Sequence, residues 1–332
     1  MRKVAIIGIG MIKWGELWEK SLRQIASEAV FECLEDAGTD RIDAMTIGNM
    51  SGGLFNGQEH LASLIPDHMG RKNIPSMRIE SACASGGMAV RTAYLEVASG
   101  ISDYAVAVGV EKMTDISGQE ATYALATAAD QDYEAFHGVT FPGLYAMMAK
   151  THMDRYGTTR DQLSSVVIKN HFNGSLNPNA QFPFKINGEQ VLNSPMVADP
   201  LRLLDCSPIT DGAAAVLITT LEEAKKFKKQ PVLISGIGHA SDSIGLSNRK
   251  DILKMDAVTI SAEKALKMAG KSIKDIDFAE VHDCFSIAEI MILEALGIVS
   301  PGEGGIAGSE GLTALDGSFP VNPSGGLKSK GH

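Results

Sequence analysis

One cysteine of the sequence stands where a thiol could act as a nucleophile. Cys83 lies in the segment ESACASGG, between a predicted strand (SMRIESA) and a predicted helix over residues 85–100. The unpaired N–H groups and the macrodipole of a helix N-terminus stabilise an anion, so a thiolate is favoured there. The small Ala, Ser and Gly neighbours would let a substrate approach the backbone. Cys83 is therefore a candidate nucleophile, and the alternative is a buried structural cysteine.

Two segments in the last third of the chain add acid–base candidates. His282, Asp283 and Cys284 follow a predicted strand in VHDCFS, and NPSGGLKSKGH ends with His332. Ligands of α/β sheets bind beyond the carboxyl ends of strands, which favours chemistry at the first of these segments. The alternatives are a metal site, for which one His-x-Cys pair with Asp is weak support, and a structural histidine. The Gly-rich segment over 322–332 could hold an oxyanion or phosphate, although an ordinary loop would have the same composition.

Composition limits the class of protein that could carry these residues. The chain has 332 residues, of which 44% are hydrophobic, and this is enough for one large domain or two ordinary ones. A formal net charge of −10 argues against a nucleic-acid surface. The sequence contains no apolar run long enough to predict a membrane span. The four cysteines lack CxxC spacing, which is typical of reduced cytosolic thiols.

An internal repeat predicts the elements that position these residues. KVAIIGIG (3–10) is echoed by PVLISGIG (231–238), and both read as buried strands that lead into turns. The amphipathic helix predicted over 21–38 is echoed over 257–270, and ACASGGMAV is echoed by VNPSGGLKS. The offset grows from 228 to 232 and then 239 residues, as loop insertions would make it. The repeat therefore predicts two layered α/β halves with the same topology.

The predicted domain limits follow from the repeat and from a long stretch of different texture. Residues 1–115 and 201–222 form the predicted first half, and residues 231–332 form the second. Residues 116–200 are rich in Asn, Pro and Gly around two predicted helices, and an insert of this length is usually a lid or binding subdomain. The second half stops soon after its Ser-Gly-Gly segment. By the symmetry of the repeat, we expect a helix and two strands to be missing from it.

The three motifs together resemble the thiolases, in particular the sterol-carrier-protein type and its archaeal relatives. In that group HDCF replaces the NEAF of ordinary thiolases, and the segment CSPITDGAAAVLI (206–218) is similar to the family's ASGxNDGAAA segment. The resemblance covers the chain from residue 1 to residue 332. It implies a five-layered αβαβα fold of two duplicated halves, with residues 116–200 as a loop domain over the coenzyme A site. The C-terminal end of the second half is apparently missing from that pattern.

The resemblance also implies a role for each catalytic candidate. Cys83 would take up an acyl group from acyl-CoA, and His332 would take the proton from its thiol. Cys284 would remove a proton from the methyl group of acetyl-CoA. His282 would donate a hydrogen bond to the resulting enolate oxygen.

Substrate-binding roles are implied for four further residues. Ser207 matches the family's serine and would contact the pantetheine arm of coenzyme A. Phe285 would line the acyl pocket. Gly325 and Gly326 would let their loop pass close to the ligand.

The activity implied first is that of an acetyl-CoA C-acetyltransferase, which condenses two acetyl-CoA through an acyl-cysteine and feeds mevalonate synthesis. Two alternatives are a degradative 3-ketoacyl-CoA thiolase and a non-catalytic acyl-CoA-binding scaffold. No cofactor or metal is expected, because the coenzyme A thioester is itself the substrate. The resemblance implies a cytoplasmic homo-oligomer, a dimer or tetramer, with no nucleic-acid or membrane partner. It further implies a complex with hydroxymethylglutaryl-CoA synthase and a small zinc-ribbon/OB-fold protein.

Overall fold

The computed structural model describes residues 1–227 and 230–332, which form two compact units. The first unit consists of Met1–Ala124 and Thr210–Ser235, and the second consists of Leu125–Ile209 and Gly236–His332. The second unit thus combines most of the predicted insert with the predicted second half. Within the described ranges, no helix is long and apolar enough to cross a membrane. The limits predicted for the two halves follow from the sequence repeat, whereas the two compact units are defined by contacts within the fold. Those predicted limits therefore stay a prediction.

The strands of the described residues are, in chain order, β1 (Val4–Met11), β2 (Ala44–Gly48), β3 (Ser76–Ile79), β4 (Tyr104–Lys112), β5 (Met196–Ala198), β6 (Leu201–Arg202), β7 (Asp211–Thr220) and β8 (Val232–Leu233). The helices are α1 (Leu22–Ala37), α2 (Gly52–Asn56), α3 (Leu61–His68), α4 (Ser85–Ser99), α5 (Gly118–Ala126), α6 (Phe141–Tyr156), α7 (Arg160–Gly174), α8 (Gly188–Asn193), α9 (Leu221–Ala224), α10 (Asp256–Ala269), α11 (Ser286–Ala295), α12 (Gly304–Ser309) and α13 (Gly326–Lys330).

The first unit is built on a mixed six-stranded sheet in the order β3-β2-β4-β7-β1-β8. Strand β2 is parallel to both β3 and β4, whereas β7 is antiparallel to β4 and β1. The carboxyl ends of β2, β3 and β4 therefore lie at one edge of the sheet, and the chain after β3 leads directly to Cys83. Helix α1 covers the sheet with a stripe that is apolar except for Ser27, as its 3–4 spacing predicts. Its Ser21 capping box with Gln24 and its C-terminal Gly38 confirm the predicted bounds.

The second unit has its core among helices rather than on a long sheet. Apolar residues of α6, α7 and α11 pack together, among them Leu144, Leu163 and Ile287. Its described strand pairing is limited to the short β5–β6 pair and two isolated bridges, Cys206–Phe285 and Ala279–Val321.

The strand predicted over 231–238 is wrong in length, because the structure forms only β8 there, and β8 pairs with β1. Segment 276–281, also predicted as a strand, pairs only at Ala279. A strand is regular only where a neighbour exchanges hydrogen bonds along it, and these segments lack such neighbours in the described chain. By contrast, α10 and its C-terminal Gly270 confirm the helix predicted over 257–270.

Candidate active site

The nucleophile candidate of the first unit lies where the sequence predicts it. Strand β3 ends at Ile79, a 3₁₀ turn spans Ala82–Ala84, and α4 begins at Ser85. Cys83 is in the middle of that turn and is exposed, whereas Cys33 and Cys284 are buried. An exposed thiol does not fit the alternative of a buried structural cysteine.

The turn around Cys83 is held in an unusual backbone conformation. Ala82 has a φ of 46°, in the left-handed region that costs a residue with a side chain about 1–2 kcal/mol. The Ser85 hydroxyl donates to Ala82 O at 2.6 Å and accepts from Ser81 N at 2.9 Å. One serine side chain therefore clamps both ends of the turn and fixes the backbone that carries Cys83.

Glycines let this turn sit close to the strand ends. A Cβ at Gly48, the last residue of β2, would collide with Ser85 O and with Gly86 Cα. A Cβ at Gly86 would come to 3.9 Å from Gly109 Cα in β4. The close packing of α4 on the sheet therefore requires glycine at position 48, whereas a Cβ at Gly86 would make an ordinary van der Waals contact.

A half-buried carboxylate at the same sheet edge was not predicted from the sequence. Glu111, near the end of β4, accepts hydrogen bonds from Asn49 Nδ2 at 2.9 Å and Met50 N at 2.7 Å. Burial raises the pKa of Glu111, although these hydrogen bonds act in the opposite direction. The network ties the ends of β2 and β4 together beneath the Cys83 turn. A polar residue directly after a strand, such as Asn49, is the signal that could have found it.

The second unit brings three of the predicted residues together. The rings of His282 and His332 lie with their centroids 5.1 Å apart and their planes at 77°. The Ser207 hydroxyl is 3.1 Å from His332 Nδ1, so Ser207 orients this ring. Its predicted contact with the pantetheine arm stays a prediction.

The environment of His332 favours the neutral imidazole. Burial, followed by the charges of His282 and Lys328, lowers the pKa of His332 to about 3. A ring with so low a pKa is neutral over the whole physiological pH range but binds a proton weakly, so the role of His332 as the base stays a prediction.

Cys284 is buried and its thiol is protonated at rest. Burial raises the pKa of Cys284 to about 12, and Asp283 acts in the same direction. A hydrogen bond with Tyr145 and the charge of Lys328 lower it in part. The backbone carbonyl of Cys284 accepts from Ser207 N at 2.8 Å, which joins the two predicted segments. In this state Cys284 is a proton donor, and it becomes a base only after losing its proton.

The remaining predicted residues lie beside these groups. Phe285 stacks on Tyr145 with ring centroids 4.5 Å apart, within the core of the second unit. Gly325 and Gly326 have φ values of 107° and 58°, in the left-handed region that favours glycine. A Cβ at Gly326 would collide with the carboxylate of Asp283. The close approach of this loop to a ligand stays a prediction.

A buried ionic cluster joins the motif segments of the second unit. It was not predicted from the sequence. Asp205, fully buried, forms an ion pair with Arg160 Nη2 at 2.6 Å and accepts a hydrogen bond from Ser286 Oγ at 2.7 Å. Lys328, also buried, donates to the Asp205 carbonyl. The only local signal for such a cluster is a charge within an apolar stretch, as at Glu289 in SIAEIMIL.

Comparison with known proteins agrees with the motifs. The model described as "Thiolase, N-terminal domain" matches residues 4–222, and "Thiolase C-terminal domain-like" matches residues 238–332. The chain is 55% identical over 334 residues to an acetyl-CoA acetyltransferase of Methanothermobacter thermautotrophicus, covering 100% of this chain and 87% of that protein. It is 52% identical to an acetyl-CoA acetyltransferase of Methanocaldococcus jannaschii, covering 100% and 86%. Sterol carrier protein 2 of Gallus gallus is 31% identical over 100% of this chain and 63% of its own length.

The chain therefore belongs to the thiolase family, and it is an acyltransferase of that class. A solved structure, "Ltp2-ChsH2(DUF35) aldolase", matches 99% of this chain and 86% of its own with a TM-score of 0.84 at 24% identity. That likeness shows the fold, and it confirms the predicted layered thiolase fold. The predicted kinship with archaeal and sterol-carrier-type thiolases is also confirmed.

Proposed function

We propose that this thiolase is an acetyl-CoA C-acetyltransferase, which converts two acetyl-CoA into acetoacetyl-CoA and free coenzyme A. The observation that carries the proposal is an exposed Cys83 on a clamped turn at a helix N-terminus. Its support is the identity of more than half of the residues, over the whole chain, with a relative of that name.

In the first half-reaction Cys83 exchanges one thioester for another. The Cys83 sulfur attacks the carbonyl of acetyl-CoA, the C–S bond to coenzyme A breaks, and the acetyl group stays on Cys83. Little free energy is lost, because a thioester replaces a thioester. Neutral His332 accepts the Cys83 proton and returns it to the departing coenzyme A thiolate, which leaves as a thiol.

In the second half-reaction a new carbon–carbon bond forms. Cys284 first releases its thiol proton to solvent, and its thiolate then removes a proton from the methyl group of a second acetyl-CoA. His282 donates a hydrogen bond to the enolate oxygen. The enolate carbon attacks the acetyl carbonyl, the bond to Cys83 breaks, and acetoacetyl-CoA leaves. Cys83 is then a thiolate and Cys284 a thiol. Uptake of one proton from solvent by Cys83 restores the starting state.

A second candidate function is the cleavage of 3-ketoacyl-CoA, which is the reverse reaction at the same residues. A thiol whose pKa is about 12 is ready to protonate the enolate that cleavage releases, without any preceding proton loss. The same residues serve both directions, so direction depends on substrate levels rather than on a different site. The preferred acyl chain length distinguishes the two enzymes.

Further proposals follow from the same resemblance. The reaction needs no cofactor or metal, because coenzyme A thioesters are its substrates. We propose a cytoplasmic homo-oligomer that supplies acetoacetyl-CoA to mevalonate synthesis. We also propose a complex with hydroxymethylglutaryl-CoA synthase and a small zinc-ribbon/OB-fold protein, which would draw the unfavourable condensation forward.

The test is the mass of the protein after incubation with acetyl-CoA. We expect one acetyl group per chain, located on Cys83 by peptide mapping. Cys83→Ala should abolish both the acetyl group and acetoacetyl-CoA thiolysis. Cys33→Ala is the matched control, since Cys33 is buried in the first unit and its pKa is raised to about 12. An acetyl group on the Cys83→Ala variant would contradict the assignment, and binding of acetyl-CoA without transfer would indicate a scaffold.

A further inference from the structure

The HDCF segment is anchored through its central carboxylate. Asp283 lies between His282 and Cys284 in the chain. Asp283 is fully buried. Its Oδ1 accepts from Leu327 N at 2.6 Å, which ties it to the loop that ends with His332.

The second oxygen of Asp283 is held from the insert. Asn170, in α7, is fully buried and donates from Nδ2 to Asp283 Oδ2 at 2.7 Å. The same nitrogen donates to Glu289 Oε2 at 2.8 Å. A single amide thus keeps two buried carboxylates in place, and Lys169 Nζ, 2.6 Å from Glu289 Oε1, supplies a balancing charge.

Glu289 extends the network to the beginning of the terminal loop. Asn322 Nδ2 donates to Glu289 Oε2 at 2.8 Å, while Asn322 Oδ1 accepts from Val281 N at 2.8 Å. Asn322 therefore joins the terminal loop to the residue before His282. Both loops that carry the proposed acid–base residues meet at carboxylates that Asn170 bridges.

We infer that Asn170 is a positioning residue for the reaction, which acts through Asp283 and Glu289 on the loops of His282, Cys284 and His332. This inference rests on the proposed function, since these three residues are the groups to be placed. Without the amide, each of the two buried carboxylates would lose one of its hydrogen-bond donors, and the oxygen left short of a donor is either hydrated or displaced. Either response moves the loops, and a displacement of about 1 Å can lower a rate roughly 100-fold.

The test compares Asn170→Ala and Asn170→Ser with Ser164→Ala in the purified full-length chain. Ser164 is equally buried in α7, but its hydroxyl bonds only to Arg160 O within the same helix. For each variant we would measure the thermal transition, the final acetylation of Cys83 per chain, and kcat and KM for acetoacetyl-CoA thiolysis. We expect Asn170→Ala to reach full acetylation while its kcat falls about 10- to 100-fold with little change in KM. Asn170→Ser, which keeps one donor, should be intermediate, and Ser164→Ala should retain its kcat.

The outcomes separate this inference from the proposed function. An unaltered chain that is neither acetylated nor active would overturn the proposed function. An active unaltered chain with an Asn170→Ala variant of normal kcat and a lowered thermal transition would show a purely structural role. If neither Asn170 variant folds, Asn170 is a folding residue and the positioning role is also wrong.

Discussion

The two repeats of the chain use the same device to join a strand to a helix. A Cβ at Gly10 would collide with Ala29 O in α1, and a Cβ at Gly238 would collide with Ser261 O in α10. The glycines are 228 residues apart and the helix residues 232 apart, which are the offsets of the sequence repeat. The glycines of each Gly-Ile-Gly segment therefore allow the backbone to pass directly against its helix.

The surroundings of these two strand–helix contacts differ. In the first repeat, β1 has neighbours on both sides in the sheet, and α1 buries nine residues. In the second repeat, the residues that follow β8 form no regular strand, and α10 has no buried residue. The comparison teaches that the strand–helix contact is encoded locally, whereas burial depends on how many neighbouring strands complete the sheet.

Alanine substitutions at the two matched glycines should have the largest effects on stability and should differ most between the repeats. Gly10→Ala forces the tightly packed α1 and β1 apart, and we expect a loss of about 3 kcal/mol in the free energy of unfolding. Gly238→Ala creates the same collision, but the exposed α10 can shift, so about 1 kcal/mol is expected. Urea unfolding of the two variants measures both values. Equal losses would mean that α10 is held as rigidly as α1.

This contrast also shows which features a single sequence can reveal. Helices α1, α7 and α10 are predictable, because their periodicity and caps are local; Thr159, for example, caps α7 by accepting from Gln162 N at 3.2 Å. The place of Cys83 follows from the strand and helix on either side of it. The strand over 231–238 is not predictable in length, since pairing depends on distant residues. The roles of Asn170 and Asp205 are not predictable for the same reason, because Asn170 bonds to Asp283, 113 residues away, and Asp205 to Ser286, 81 residues away.

The reactive side chains of the two repeats also differ in exposure. The dependence of stability on pH can reveal this difference. Cys83 of the first repeat is exposed, whereas burial lowers the pKa of His332 in the second to about 3. The unfolded chain then binds more protons than the folded chain below pH ~6.5, so stability falls as pH decreases from there towards 3. We expect His332 to contribute a loss on the order of 1 kcal/mol between pH 7 and pH 5.

The measurement is the difference in unfolding free energy between the unaltered chain and His332→Gln at several pH values. Because Gln does not titrate, this difference isolates the contribution of His332 from that of other groups such as His171, whose pKa burial also lowers. The stability advantage of the unaltered chain should shrink as the pH falls. A difference that does not vary with pH would show that His332 titrates normally.

The smallest effect is expected at the glycines that end the two matched helices. Gly38 and Gly270 have φ values of 70° and 65°, and a Cβ at either would meet nothing within 4 Å. Alanine at these positions therefore tests the left-handed backbone alone. We expect Gly38→Ala to lose about 1 kcal/mol, because buried neighbours hold the end of α1. The last turn of α10 can unwind instead, so Gly270→Ala should lose less than half as much, and a loss equal to that of Gly38→Ala would refute the difference in rigidity.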